Sequence, residues 1–147
     1  MIPKEKEYYV HNFTIKKGAN YYGLIFGTNH SLGMEKFLTV CWKQDPLAGE
    51  SNCNIDNDFE EGTLFFNPTN TNKIQMVKNK IKEKIKNGII RDNLTGLRYA
   101  LSEGCRPKLF VEVVDELLKM KKITIVGKIN RTASSVHKAK KYEISVL

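Results

Sequence analysis

Residues 93–126 read NLTGLRYALSEGCRPKLFVEVVDELLKMKKITIV, and their hydrophobic spacing changes along the way. Apolar residues first recur at helical spacing, and Gly104 follows where a helix takes its C-terminal glycine. A second apolar face begins after Pro107, a residue suited to the first turn of a helix. The β-branched run at 123–126 favours a strand. These residues predict a helix, a tight turn, a second helix and a strand.

The ends and faces of these two helices are also predictable. Asn93 or Thr95 is expected to cap the first helix, because both side chains accept hydrogen bonds from free backbone N–H groups. The second helix ends at Lys121-Lys122. Its expected core face consists of Leu109, Phe110, Val113, Val114, Leu117 and Leu118.

The residues after Val126 complete a known pattern. Residues 127–140 are polar and basic, and Tyr142, Ile144 and Val146 alternate as a returning strand. Two helices joined by a short turn and followed by a hairpin form the winged variant of the helix-turn-helix. The predicted fold is α+β: a small β-hairpin, helix and strand unit over residues 1–70, then a winged helix-turn-helix domain over residues 71–147.

A basic amphipathic helix is expected at the start of the second unit. Residues 73–87 carry an apolar stripe among six lysines, which we interpret as a solvated helix face, and Asn87-Gly88 favours a left-handed cap. Ile89-Ile90-Arg91 is expected to form a short edge strand. The stripe consists of Ile74, Val77, Ile81 and Ile85.

The first unit begins with two strand-like runs, 8–15 and 21–28. A hairpin loop is expected between them, and the second run is apolar on both faces, which predicts a buried strand. A helix ending at Asp45-Pro46 follows, then a polar loop over 47–61, a strand over 62–66 and a linker over 67–72. The expected apolar helix face consists of Met34, Phe37, Leu38, Cys41 and Trp42.

Charge differs sharply between the two units. Residues 1–71 hold six Lys against nine Asp and Glu, a net charge of −3. Residues 72–147 hold eighteen Lys and Arg against seven acidic residues, a net charge of +11. Such asymmetry indicates a polyanionic partner for the C-terminal unit. A lysine-rich surface that serves only solubility is the alternative.

Composition excludes several classes of protein. No run of 18 apolar residues is present, so no membrane-spanning helix and no membrane partner are expected. The three cysteines are an odd number without a Cys-x-x-Cys pair, which argues against disulfides and zinc and favours the cytoplasm. The group Asp56, Asp58, Glu60 and Glu61 lacks the glycine and terminal glutamate of a calcium loop, so no metal is expected there.

Residues 21–46 carry a distinctive pattern. It consists of Tyr21-Tyr22-x-Leu24-Ile25-Phe26-x-Thr28-Asn29-His30, then Gly33, then Trp42-Lys43-x-Asp45-Pro46. About 25 residues thereby resemble a segment of the three-Cys-motif partner proteins. The resemblance implies the last strand and helix of a methyltransferase-like domain, followed by a winged-helix domain.

The chain departs from that family in one respect that matters for activity. Methyltransferase-like domains place an acidic, glycine-containing cofactor loop between a strand and a helix, and this sequence has no such loop. We therefore expect no cofactor and no methylation by this chain alone. The resemblance fits either the C-terminal piece of a longer architecture or a stand-alone relic of it.

Few residues are candidates for catalysis. His30 follows a predicted strand, and with Asp45 it is a candidate acid–base pair; the alternative is a strand-to-helix turn capped by Asn29 or Ser31. Trp42 is expected in the core and not as a stacking platform. Cys41 and Cys105 are expected to be inert packing residues.

The basic residues of the C-terminal unit are the stronger candidates for a binding site. The expected wing contacts with DNA phosphates come from Lys128, Arg131, Lys138, Lys140 and Lys141. Arg106 and Lys108 begin the helix that reads base edges in such folds, and Arg98 is a further phosphate contact.

One feature argues against DNA. Glu112, Asp115 and Glu116 are expected on the outer face of the same helix, where only Lys119 would balance them. Two functions therefore remain open: a non-catalytic DNA-binding accessory module, or a module for association with a partner protein or with itself.

Overall fold

The computed structural model describes residues 7–53, 73–127 and 135–147. This part of the chain is α+β, as predicted, with two β-hairpins and four helices. In chain order, the elements are β1 (Tyr9–Lys17), β2 (Asn20–Thr28), α1 (Ser31–Gln44), α2 (Lys73–Lys86), α3 (Asn93–Ser102), α4 (Lys108–Lys119), β3 (Ile123–Val126) and β4 (Glu143–Val146). The predicted strand at 62–66, the linker at 67–72 and the acidic group at 56–61 lie outside the described residues.

The first hairpin pairs β1 with β2 in antiparallel register from Tyr9 opposite Thr28 to Lys17 opposite Asn20. Along β1, Tyr9, His11 and Phe13 are buried and their neighbours are not, as expected for a strand with one face on the core. The prediction that β2 is buried is wrong: all but two of its residues are exposed, and those two, Phe26 and Thr28, are half-buried. The sheet has two strands; α1 packs against both of them, and α3 contacts β1.

Helix α1 is capped differently from the prediction. His30 is the N-cap, and its Nδ1 accepts a hydrogen bond from Leu32 N–H at 3.2 Å, so neither Asn29 nor Ser31 has that role. The helix ends at Asp45, as expected. The buried face consists of Met34, Leu38, Cys41 and Trp42.

Helix α2 ends at Lys86, and Gly88 follows with the predicted left-handed conformation, at a φ of 68°. The predicted edge strand after it is wrong. The backbone carbonyl of Arg91 accepts one hydrogen bond from Ile144 N–H at 2.8 Å, and Asp92 forms an isolated β-bridge with Glu143. The chain cannot continue as a strand because the Asp92 carboxylate caps α3 by accepting from Thr95 N–H at 2.9 Å.

Helices α3 and α4 approach each other closely at Gly96. A Cβ at that position would lie 2.0 Å from the ring of Phe110, so only a glycine permits this contact. Gly104 follows α3 with a φ of 71°, as a C-terminal glycine should. Pro107 has helical dihedral angles immediately before α4, and α4 then buries five of the six predicted residues, leaving Leu118 half-buried.

A single hydrophobic cluster runs through the described residues. It joins Tyr9, Met34 and Trp42 of the N-terminal unit to the buried faces of α2, α3 and α4 and to Ile144 of β4. Polar contacts reinforce it: the Trp42 indole N–H donates to the Gly104 carbonyl at 2.9 Å. Trp42 is therefore a core residue, as predicted, and the two predicted units share one core.

Candidate nucleic-acid interface

The structure holds residues 135–142, which we call the basic arm, against the N-terminal unit. The Glu35 carboxylate of α1 accepts hydrogen bonds from Val136 N–H at 2.8 Å and from the Ser135 hydroxyl at 2.6 Å. The Val136 side chain is buried beneath this contact. One end of the basic arm is therefore fixed to a helix about a hundred residues away in sequence.

Asn93 fixes the other end of the basic arm. Its side chain is 3% exposed; it donates to the Lys140 carbonyl at 2.9 Å and accepts from Tyr142 N–H at 2.8 Å. Its own N–H donates to the Tyr142 carbonyl at 3.2 Å. The prediction that Asn93 or Thr95 caps α3 is wrong, because Asp92 is the N-cap. Asn93 is instead a buried residue that satisfies backbone groups of the basic arm at the start of β4.

Between these two attachments the basic arm presents its lysines to solvent. Lys138, Lys140 and Lys141 are all exposed, and within the described residues none of them forms an ion pair. Their backbone is held in place while their ammonium groups stay free for an external anion. Lys128 and Arg131, also predicted for this site, lie outside the described residues.

The other predicted contacts lie in two places. Arg106 and Lys108 are both exposed and line a shallow pocket of about 100 Å³ beside Trp42, with the Arg106 guanidinium 6.0 Å from the indole centroid. Arg98 on α3 forms an ion pair with Glu7 at 3.3 Å while remaining 44% exposed. A phosphate would therefore compete with Glu7 for Arg98, whereas Arg106 and Lys108 have no ion-pair partner in the described part of the chain.

The expectation that only Lys119 balances the acidic residues of α4 is wrong, because lysines of α2 pair with two of them. Lys78 of α2 bonds Glu112 at 3.1 Å and Glu116 at 3.0 Å, and Lys82 bonds Glu116 at 2.8 Å. Hydrogen bonds from Lys82 and then Lys78 hold the pKa of Glu116 below its ordinary value. The interpretation of the α2 lysines as a solvated face is wrong for these two residues, because α2 packs against α4. Asp115 has no ion pair among the described residues.

The candidate acid–base pair does not form. His30 and Asp45 cap opposite ends of the 14-residue helix α1. Burial alone would raise the pKa of Asp45, but backbone N–H donors, among them Glu50 and Ala48, lower it overall. Asp45 is thus a structural acceptor that orders the turn after α1.

The buried cysteines are not activated either. Burial raises the pKa of the Cys105 thiol to about 11 and also raises that of Cys41, so both remain protonated near neutral pH. This agrees with their predicted packing role. No group of three or more His, Cys, Asp and Glu side chains suited to a metal ion occurs among the described residues.

Sequence reasoning missed the residues that organise this surface. Glu35 contacts the basic arm from about 100 residues away, and no local pattern indicates such a contact. The sequence predicts Asn93 only as a helix cap, because local spacing does not show that it lies opposite the returning strand.

None of the helices in the described ranges is both long and apolar enough to cross a bilayer. Comparisons of the chain with protein-family models, curated proteins and solved structures found no match.

Proposed function

We propose that this chain is a non-catalytic DNA-binding module of the winged helix-turn-helix type, with the basic arm forming part of the wing. The proposal takes α3 and α4 as the helix-turn-helix and the β3–β4 hairpin as the wing. Phosphate contacts come from Lys138, Lys140 and Lys141, together with Lys128 and Arg131. Arg106 and Lys108 supply any base readout, and Arg98 a further phosphate contact.

The observation that carries the proposal is the state of the three arm lysines. They are exposed and unpaired among the described residues, whereas the lysines of α2 that face α4 are already used in ion pairs. Because Glu35 and Asn93 fix the arm backbone, less conformational entropy is lost on binding a phosphate backbone. Free charge on an ordered backbone is what phosphate recognition requires.

The ion pairs between α4 carboxylates and α2 lysines reduce the repulsion that these carboxylates would exert on DNA phosphates. Carboxylates facing phosphates repel them, but Glu112 and Glu116 each carry a lysine within 3.1 Å. The remaining acidic residue on that helix, Asp115, is half-buried. The net charge of +11 over residues 72–147 then acts with little local opposition.

The proposal also includes the resemblance to the three-Cys-motif partner proteins. The order of an apolar strand and a helix in that family is present here as β2 and α1. In this view the chain acts in the cytoplasm as an accessory to a methyltransferase-like system and does not bind the cofactor itself.

The test is a fluorescence-anisotropy titration with a random duplex of about 20 base pairs at about 50 and 200 mM salt. Four to six phosphate contacts give a log–log salt slope of about −4 to −5. Changing Lys138, Lys140 and Lys141 to alanine should weaken binding and reduce the slope by about 2.7.

A matched control carries the same loss of charge in the other unit. Lys17, Lys36 and Lys43 are equally exposed, and their change to alanine should leave the slope close to that of the wild type. Equal effects of the two triple variants would show binding through overall charge alone and contradict the proposed site. No binding at the lower salt concentration would exclude DNA as the partner and leave association with a protein as the function.

A further inference from the structure

The β1–β2 hairpin has one satisfied edge and one free edge. On the β1 side, Thr14 N–H donates to the Glu50 carbonyl at 2.7 Å, and Asn52 N–H donates to the Thr14 carbonyl at 3.1 Å. The Asn52 side chain bonds both backbone groups of Lys16. On the β2 side, no described residue contacts the outer backbone groups.

The register tells which β2 groups are free. In an antiparallel hairpin, residues alternate between pairs that exchange hydrogen bonds and pairs that do not. Thr14 and Lys16 point their backbone groups away from β2, so their partners Gly23 and Tyr21 point away from β1. By the same alternation, the backbone N–H and carbonyl groups of Ile25 and Gly27 also point away from β1. Four N–H groups and four carbonyls of β2 therefore have no hydrogen-bond partner among the described residues.

The side chains of β2 itself are uncharged and mostly apolar, and the nearby Lys16 ammonium on β1 lies 5.4 Å from the Tyr21 ring centroid. Strand β2 reads NYYGLIFGT and contains no charged residue, although the chain has a net charge of +8. Large apolar side chains of the hairpin and the residue before it are between 36% and 76% exposed. They are Tyr8, Val10, Ile15, Tyr21, Tyr22, Leu24 and Ile25.

The pattern of large and small residues along β2 is self-complementary about Leu24. If a second β2 pairs antiparallel with Leu24 opposite Leu24, Tyr21 lies opposite Gly27 and Ile25 lies opposite Gly23. A Cβ at Gly23 would meet nothing within 4 Å, and one at Gly27 only the Tyr9 carbonyl oxygen at 4.0 Å, so both positions offer room for a partner's side chain. Aromatic or branched side chains placed across from strand glycines stabilise designed sheets in this way.

We infer that two copies of this chain associate through their β2 edges to form a continuous four-stranded antiparallel sheet. The register with Leu24 opposite Leu24 pairs all four outward residues of each copy and makes about eight hydrogen bonds between the chains. Neighbouring registers leave some of these groups unpaired. Strand addition at an exposed sheet edge is an established mode of protein association.

The interface at the β2 edge is small. The exposed apolar side chains that flank a strand added there are those of β2, between 44% and 76% exposed: Tyr21, Tyr22, Leu24 and Ile25. An interface of this extent belongs to the small, weak class, below about 600 Å² per partner. Strand β2 itself contributes no charge that would repel a second copy.

The first test is the sedimentation of the full chain between about 1 and 100 µM, a range suited to an interface of this size. The wild type should shift from monomer to dimer, and Ile25→Lys should remain monomeric because it places a charge at the paired edge. The control is Val126→Lys, a change from an equally β-branched and 65% exposed strand residue in the other hairpin. It should dimerise like the wild type.

The second test fixes the register. In a Cys53→Ser background, Leu24→Cys should form an intermolecular disulfide under mild oxidation, because non-hydrogen-bonded pairs bring Cα atoms to about 4.5 Å. Tyr22→Cys lies on the same face, but in this register the two copies of residue 22 are roughly 13 Å apart, so it should not cross-link.

A monomer at the highest concentration overturns the inference, whatever the DNA titration shows. A dimer that Ile25→Lys leaves intact overturns it as well, since another surface must then hold the copies together. Equal cross-linking of Leu24→Cys and Tyr22→Cys overturns the register.

Discussion

The β1–β2 and β3–β4 hairpins are both two-stranded and antiparallel, yet their exposed surfaces differ in charge. The β1–β2 hairpin carries an uncharged outer strand, β2, whose outer edge has no hydrogen-bond partner in the described part of the chain. The basic arm that leads into β4 instead carries exposed lysines. We therefore propose a second strand as the partner of the first hairpin and a polyanion as the partner of the second.

The difference lies in how each hairpin is held. The basic arm has few apolar residues to pack, and it is positioned by hydrogen bonds to Glu35 and Asn93. The β1–β2 hairpin is positioned by buried side chains on one face of β1 and by the stacked rings of Phe26 and Phe37, 4.4 Å apart. Removing the hydrogen bonds of Glu35 or Asn93 should therefore disturb the basic arm and leave the first hairpin intact.

Asn93→Ala should lower the free energy of unfolding more than any other change proposed here. It removes two buried hydrogen bonds and leaves Tyr142 N–H and the Lys140 carbonyl without those partners, which should cost about 3 kcal/mol. Asn12→Ala is the matched change in the other hairpin, where the residue is exposed, and should cost less than about 0.5 kcal/mol. Urea unfolding measures both, and similar small values for the two variants would contradict the role of Asn93 as a clamp.

Glu35→Ala should have an intermediate effect, about 1.5 kcal/mol, because it removes the charged acceptor of two hydrogen bonds. Its effect on DNA affinity is more informative. Loss of a negative charge by itself strengthens DNA binding, whereas release of the basic arm weakens it. We expect weaker binding, measured by the same anisotropy titration.

The control for that change is Glu83→Ala, which removes an equal charge from an exposed position on α2. It should bind DNA as well as the wild type or slightly better. If Glu35→Ala also bound better, charge would dominate and the order of the basic arm would not contribute.

The smallest expected effect is on the pH dependence of stability, to which a histidine in the first hairpin should contribute and one in the basic arm should not. Burial chiefly lowers the pKa of His11 on β1 from its ordinary value of 6.5; the Gly49 carbonyl opposes this and Lys73 adds to it. Below pH 6.5 the unfolded chain therefore takes up a proton before the folded chain does, and stability falls as the pH falls. His137 in the basic arm is exposed.

Thermal unfolding at about pH 7.5 and 5.5 tests this sign. The loss of stability at the lower pH should be smaller in His11→Gln than in the wild type. His137→Gln should behave like the wild type. An unchanged pH dependence in His11→Gln would show that other groups cause it.

Local patterns in the sequence predicted the elements well. The spacing of Leu109 to Leu117, the glycine at 104 and the alternation at Ile144 each depend on neighbours within one turn or one strand. The burial of β2 was mispredicted because its apolar sequence does not indicate how many layers cover it. The partners of Glu112 and Glu116 were missed for a related reason, since they come from a different helix.

The candidate site was only partly predictable. Exposed lysines such as Lys138 follow from composition, since lysine is seldom buried. The contacts that order them, through Glu35 and Asn93, join segments far apart in the chain and require the fold itself.

The bond between Glu35 and Val136 also bears on how the protein is made. A ribosome releases the N-terminal unit first, seconds before the residues that complete its contacts. Until then, Met34, Leu38 and Trp42 of α1 lack the C-terminal helices that bury them. The contacts of α1 are therefore complete only once residue 136 has emerged, and we expect the nascent protein to be most prone to aggregate before then.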